Sequence, residues 1–303
     1  MEIYLPIAGI PLNILLLLIV GFFSGILSGL FGIGGGFIMT PLLIFMGVSP
    51  AVSVASSANQ IVATSVSAFI AHARRKNVDF HMGAILIVGG FMGSSLGIWL
   101  FQILSGFGQI DLVISLSYIL ILGFIGVSMA YESVREVLKI KSKQIITKHK
   151  LSLADKMPYK VYFARSNITI SVFMPIIISF IAGVLVSIMG IGGGFVMIPA
   201  MIYILRMPTN IVIGTSLLQV IFVTSNVTIL HAINTYSVDI LLAGILLASS
   251  VIGAQFGTKI GVLIPAEKLR VLLALIILCV VSRLVLGFFI EPENLFKIIN
   301  ITS

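Results

Sequence analysis

Apolar runs separated by short polar or glycine-rich stretches fill this chain from residue 12 to residue 290. In the first half they cover 12–31, 36–47, 51–72, 80–104 and 110–131. In the second half they cover 168–189, 194–206, 210–232, 239–263 and 268–290. Most reach the roughly 20 residues that a helix needs to cross a bilayer. The second run of each half is shorter. Lipid tolerates no unpaired backbone, so each short run is expected to be half of a broken helix or one arm of a re-entrant hairpin.

The two halves repeat. Gly32-Ile33-Gly34-Gly35-Gly36-Phe37 returns as Gly190-Ile191-Gly192-Gly193-Gly194-Phe195, 158 positions later, and Pro41 and Pro199 follow at the same offset. Ser57 falls on Ser216, Gln60 on Gln219, His72 on His231, Asp79 on Asp239, and Gly93 and Gly97 on Gly253 and Gly257. A duplicated glycine break inside hydrophobic segments points to a transporter built from two related halves. The expected division is an N-terminal repeat over 1–131, a basic linker over 132–167, a C-terminal repeat over 168–290 and a tail over 291–303.

Charge orients the halves. The linker holds nine of the eighteen Lys and Arg. Between membrane spans such a run reads as a positive-inside signal, so 132–167 is expected to be cytoplasmic. Arg74-Arg75-Lys76 should face the same side, and the uncharged stretch at 105–109 the opposite one. In the second half the bias reverses: Asn234-Thr235-Tyr236 is neutral, whereas Lys259, Lys268 and Arg270 are basic. The repeats are therefore expected to be inverted relative to each other, each a glycine-broken hairpin plus three spans, 8–10 membrane segments in all. Four simple spans per half would give parallel repeats and fit the charges less well. The fold class is an all-α polytopic membrane protein in the plasma or inner membrane.

Composition agrees: 59% of the 303 residues are hydrophobic and 9% charged, with a mean hydropathy of +1.21. An ordinary soluble domain is excluded. No Lys or Arg precedes the first apolar run, so 12–31 lacks the basic start of a signal peptide and is expected to stay as a helix. Paired carboxylates, HExxH and GxSxG are absent, and one cysteine and four histidines have no metal-ligand spacing. No enzyme, cofactor, metal or nucleic-acid role is expected. The linker basicity reads as topology.

Binding chemistry concentrates at the breaks. Unwound backbone at Gly34, Gly35, Gly36 and at Gly192, Gly193, Gly194 exposes amide N–H groups, and helix N-termini beside it add positive partial charge. Such a site holds an anion without a charged side chain; the alternative use of the glycines is close helix packing. Ser57, Asn59 and Gln60, with Thr215, Ser216 and Gln219, add hydroxyls and amides on the following helices. These groups either bond neighbouring helices or meet substrate. Asp79 and Asp239 stand at helix starts and read as caps. Arg283 lies inside the last apolar run, as an intramembrane functional charge or a snorkelling one.

Together these features resemble the sulfite exporter TauE/SafE family of membrane permeases. The residues carrying the likeness are Gly25-x-x-Ser28-Gly29-x-x-Gly32 through Gly36 with Pro41, Ala55-Ser56-Ser57, Gly183 through Gly194 with Pro199, and Gly214-Thr215-Ser216. The Val78-Asp79 and Val238-Asp239 starts and Arg283-Leu284 add to it. The resemblance implies a transporter of small anions, often sulfite, sulfonates or related organic acids. Val186-Ser187-Ile188-Met189 replaces Ser28-Gly29-Leu30-Phe31 in the second copy, which argues against a strictly two-fold site. The partners expected are a small anion and the bilayer. The pattern names no coupling ion, direction of transport or oligomeric state. An anion channel and a non-transporting membrane scaffold are the competing functions.

Overall fold

The computed structural model describes residues 2–138, 159–261, 263–264 and 266–289. The tail at 291–303 and most of the basic linker, 139–158, lie outside the described residues. The first half runs β1 (Glu2–Leu5), β2 (Ile10–Asn13), α1 (Ile14–Phe31), α2 (Gly36–Phe45), α3 (Pro50–Arg74), α4 (Phe80–Gly106) and α5 (Ile110–Leu138). The second repeats the order: β3 (Lys160–Phe163), β4 (Ile168–Ser171), α6 (Phe173–Met189), α7 (Gly194–Tyr203), α8 (Thr209–Asn234), α9 (Ile240–Gly261) and α10 (Ala266–Phe289). This is a polytopic all-α membrane protein, and six of its described helices are long and apolar enough to span a bilayer.

Local chemistry sets the helix ends. Gly32 and Gly190 close α1 and α6 in the left-handed conformation, at φ 67° and 66°, and each donates its N–H back into the last turn. Pro50 opens α3, where its missing N–H costs nothing. Asp79 caps α4 through Met82 N, and Asp239 accepts from Leu241 N and Leu242 N at the start of α9, as expected of both.

Two differences from the sequence reading stand out. Each half opens with an antiparallel two-stranded hairpin, pairing Leu5 with Ile10 and Phe163 with Ile168. Also, α5 runs on to Leu138, past the expected repeat boundary at 131, and β3 falls within the expected linker. The hairpins are held by the opposite half. Asp239 Oδ2 accepts from Ile7 N (2.9 Å) and Ala8 N (3.2 Å), and Asp79 Oδ2 accepts from Ser166 N (3.2 Å) and Ser166 Oγ (2.6 Å). Both carboxylates are buried, and these bonds offset the cost of burying them.

Contacts between the halves give the path of the chain. Gly21, Gly25 and Gly29 of α1 lie against Ser249, Ser250 and Ala254 of α9, so these helices run parallel. Gly89, Gly93 and Gly97 of α4 meet Ile176, Phe180 and Val184 of α6 in the same sense. By contrast α3 and α8 run antiparallel. Thr215, near the start of α8, bonds the backbone of Asp79 just beyond α3, while Ser56, near the start of α3, bonds that of Asp239 just beyond α8.

Apolar clusters mark the two ends. At one, Leu5, Leu17, Leu43, Val52 and Leu242 pack together, so α2 returns to the end where α1 began. At the other, Met82, Phe163, Met201 and Val212 do the same for α7. Each α1–α2 or α6–α7 pair is therefore a hairpin, and three helices then cross between the ends. Large apolar side chains such as Leu120, Phe124, Val88 and Leu275 remain exposed on the outside, as a lipid-facing surface requires.

Candidate functional site

The two glycine breaks meet at the middle of the molecule. A Cβ on Gly36 would lie 2.5 Å from the carbonyl oxygen of Gly190, and one on Gly194 would lie 2.8 Å from that of Ile33. Phe37 and Phe195, the first residues after the breaks, stack with centroids 5.4 Å apart and planes at 17°. Ile61 of α3 touches Gly34, Gly36 and Gly192. Its counterpart Val220 on α8 reaches Gly34.

Both breaks are buried and poor in partners. Residues 31–41 and 189–195 are buried throughout. The amides of Ile33, Gly34 and Gly35 donate no hydrogen bond among the described residues, and neither do those of Ile191, Gly192, Gly193 and Gly194. Buried backbone donors are almost always satisfied, so two such groups facing one another are placed to receive an acceptor. The N-termini of α2 and α7, each ten residues long, begin at the same place and add partial positive charge. The breaks are not identical. Gly34, Gly35 and Gly192 have φ of 95°, 70° and 72°, whereas Gly193 is right-handed at −44°.

Gln60 and Gln219 stand beside the breaks in matching ways, both fully buried. Gln60 Nε2 donates to Ser24 Oγ and Gln219 Nε2 to Ser179 Oγ, at 3.3 Å in each case. The serines pass their own protons on, Ser24 to the carbonyl of Gly35 and Ser179 to that of Leu86. That relay fixes each amide with its nitrogen on the serine and its oxygen elsewhere. Gln60 Oε1, Gln219 Oε1, Ser28 Oγ and Ser65 Oγ have no partner among the described residues. A position for Cβ on Gly193 lies 3.5 Å from both amide atoms of Gln219, and one on Gly35 lies 3.1 Å from Ser24 Oγ.

Not every expected residue gathers here. Ser57 does: its hydroxyl pairs with Thr40 Oγ1 at 2.7 Å and lies against Gly190. Thr215 instead accepts from Asp79 N, and Ser216 donates to Ile213 O within its own helix. Asn59 is half-buried on an adjoining face of α3. Arg283 is exposed and stands apart, with its guanidinium 5.5 Å from the Phe45 ring centroid. Sequence reasoning passed over Ser24, Ser179 and Ser65, and named Ser28 only as part of the family pattern. It also passed over Tyr118, whose hydroxyl donates to Met189 O at 2.5 Å just before the second break.

Two intertwined halves of broken and full-length helices, closed around buried unpaired amides, define a transporter-like membrane protein. The family model for Sulfite exporter TauE/SafE matches residues 17–284, and the chain belongs to that family. It is 27% identical over 263 residues to the probable membrane transporter protein YunE of Bacillus subtilis, covering 82% of this chain and 88% of that protein. It is 27% identical over 279 residues to the probable membrane transporter protein MJ0441 of Methanocaldococcus jannaschii, covering 86% and 91%. A shorter match, 27% over 103 residues, joins 34% of the chain to 23% of the sulfite exporter TauE/SafE family protein 1 of Arabidopsis thaliana. No solved structure matches the chain. It is a membrane transporter of this family.

Proposed function

We propose that the protein carries a small oxyanion across the plasma or inner membrane, sulfite, a sulfonate or a related sulfur-containing organic anion, by alternating access between its two halves. The observation carrying this reading is the pair of abutting breaks with unpartnered, buried amides. Backbone donors and two helix N-termini suit an anion that sheds its water on binding. Gly34, Gly35 and Gly192 to Gly194 supply the donors, Gly36 giving its N–H to Gly34 O instead, and Ser57, Gln60 and Gln219 line the site. The sulfur chemistry rests on the family name. In the closed packing described, rocking one half against the other would part the breaks and open the site to one side.

The antiparallel α3–α8 pair supports an inverted arrangement of the halves in the bilayer. Arg74, Arg75 and Lys76 fall at the same end as the β3–β4 hairpin, with Lys160 and Arg165, and Lys259 joins them at the end of α9. By the positive-inside rule that end is cytoplasmic, and with it the linker at 132–167.

The test is flux into proteoliposomes of sulfite, sulfate, thiosulfate and several sulfonates. Saturable uptake of one of them, lost in Gly35→Leu/Gly193→Leu protein that still elutes as a folded species, is the expected result. Undiminished flux in that variant would sink the reading.

A further inference from the structure

Away from the breaks, the ends of α3 and α9 flank an open pocket of about 520 Å³. Arg74 and Arg75 line it from α3, Lys259 from α9, and Ser67, Gln255 and Thr258 complete its polar wall. None of the described lining residues is acidic. Three cations facing one concavity repel one another unless an anion joins them. The volume lies within the range of ordinary small-ligand sites, of roughly 300–1,000 Å³.

The pseudo-symmetric place at the other end of the molecule is built differently. Arg74 and Arg75 follow His72 by two and three residues; the residues that follow His231 in the same way are Ile233 and Asn234. By the register that sets Gly97 on Gly257, Lys259 corresponds to Trp99. There polar side chains bond across the seam: Asn226 Nδ2 donates to Ser94 Oγ at 2.8 Å, and Gln102 Nε2 to Asn234 O at 3.4 Å. One end thus has a neutral, self-bonded seam where the other has an open, cationic hollow. Setting topology does not need a hollow. Lys76 sits in the same loop, does not line the pocket, and serves that role equally well.

We infer that Arg74, Arg75 and Lys259 form a second anion site, for a sulfur or phosphorus oxyanion that is either free in solution or the headgroup of an anionic lipid. Arginine forks and a lysine ammonium suit the several oxygens of such a group, and Gln255 and Ser67 offer further donors. The site does not depend on the transport reading. It lies along α3 from the central one: Gln60, Thr64, Ser67, Ala71 and Arg74 follow one helical stripe.

The test is calorimetric titration of the detergent-solubilised full chain, purified free of anionic lipid at low ionic strength. Inorganic sulfite and sulfate are the probes in one arm and dihexanoyl phosphatidylglycerol in the other. Arg74→Gln/Arg75→Gln/Lys259→Gln should weaken binding at least about tenfold, while Lys76→Gln leaves it within about twofold. Loss in the first arm identifies a free oxyanion, and loss in the second alone a lipid headgroup. Lys259→Gln by itself, at an exposed position, carries the test if the triple variant does not fold. Binding that survives in the triple variant but disappears in Gly35→Leu/Gly193→Leu belongs to the breaks and overturns the pocket. Wild-type protein that binds neither probe overturns it as well.

Discussion

Gly36→Ala is the smallest change that should part the two breaks. Gly36 starts α2 without a positive φ, so alanine is not strained there by backbone conformation. The difficulty is contact. The new methyl would lie 2.5 Å from Gly190 O and 3.0 Å from the carbonyl carbon of Ile191, and it would overlap Ile61 Cδ1. The isoleucine can turn away, but the facing backbone cannot, so the breaks must separate. Overpacking of this kind costs about 1–3 kcal/mol. Charged to the closed packing alone, that shifts the balance between closed and open states by roughly 5- to 150-fold. Proteoliposome flux should fall by about tenfold or more, with the folded fraction checked by elution and melting. Ile61→Val in the same chain removes the nearest atom and leaves the carbonyl contact, so it should restore only part of the loss. Gly244→Ala on α9 is the control, since a Cβ there meets nothing within 4 Å. It should leave flux within about twofold and, by helix propensity, stabilise slightly. Wild-type flux and melting in Gly36→Ala would refute the claim that close approach of the breaks belongs to the transport cycle.

Other outcomes follow from the same contacts. Gln60→Leu/Gln219→Leu removes two unpaired buried acceptors, so melting should hold or rise while flux drops at least about tenfold; a parallel loss of stability and flux would mark the amides as structural. Asp239→Ala takes the cap from α9 and the acceptor from Ile7 N and Ala8 N. It should cost about 2–4 kcal/mol and speed hydrogen exchange at residues 7 and 8, with Asp239→Asn falling between. Unchanged exchange at those amides would show that the carboxylate does not hold the hairpin.

How far the sequence reached depends on the kind of signal. The ten described helices lie within a few residues of the apolar runs, because lipid-facing helices must be apolar over a fixed length; the exceptions are the α5 extension and the run at 168–189, whose first residues form β4 before α6 begins at Phe173. Reversed loop charge is the signal behind the proposed inversion; in the structure α3 and α8 run antiparallel. The hairpins escaped notice because four-residue strands beside strong apolar runs leave no periodicity of their own. Their anchors were hidden as well, since Asp239 grips a turn 232 positions away in sequence. Gln60 and Gln219 could be matched by offset, but their serine partners could not. By the 158-residue repeat Ser179 aligns with Gly21 rather than Ser24, one helical turn away on the same face. Thr215 shows the reverse error: a polar residue at helical spacing serves a helix start in the other half.

The central claim is that amides from both breaks hold the anion. The direct measurement is nuclear magnetic resonance of glycine-¹⁵N-labelled protein in lipid, titrated with whichever anion the flux panel selects. The account predicts saturable shifts at Gly34, Gly35, Gly192 and Gly193, with Gly106, Gly244 and Gly287, which face open space, unmoved. Saturable shifts elsewhere, with the four break glycines silent, would contradict it.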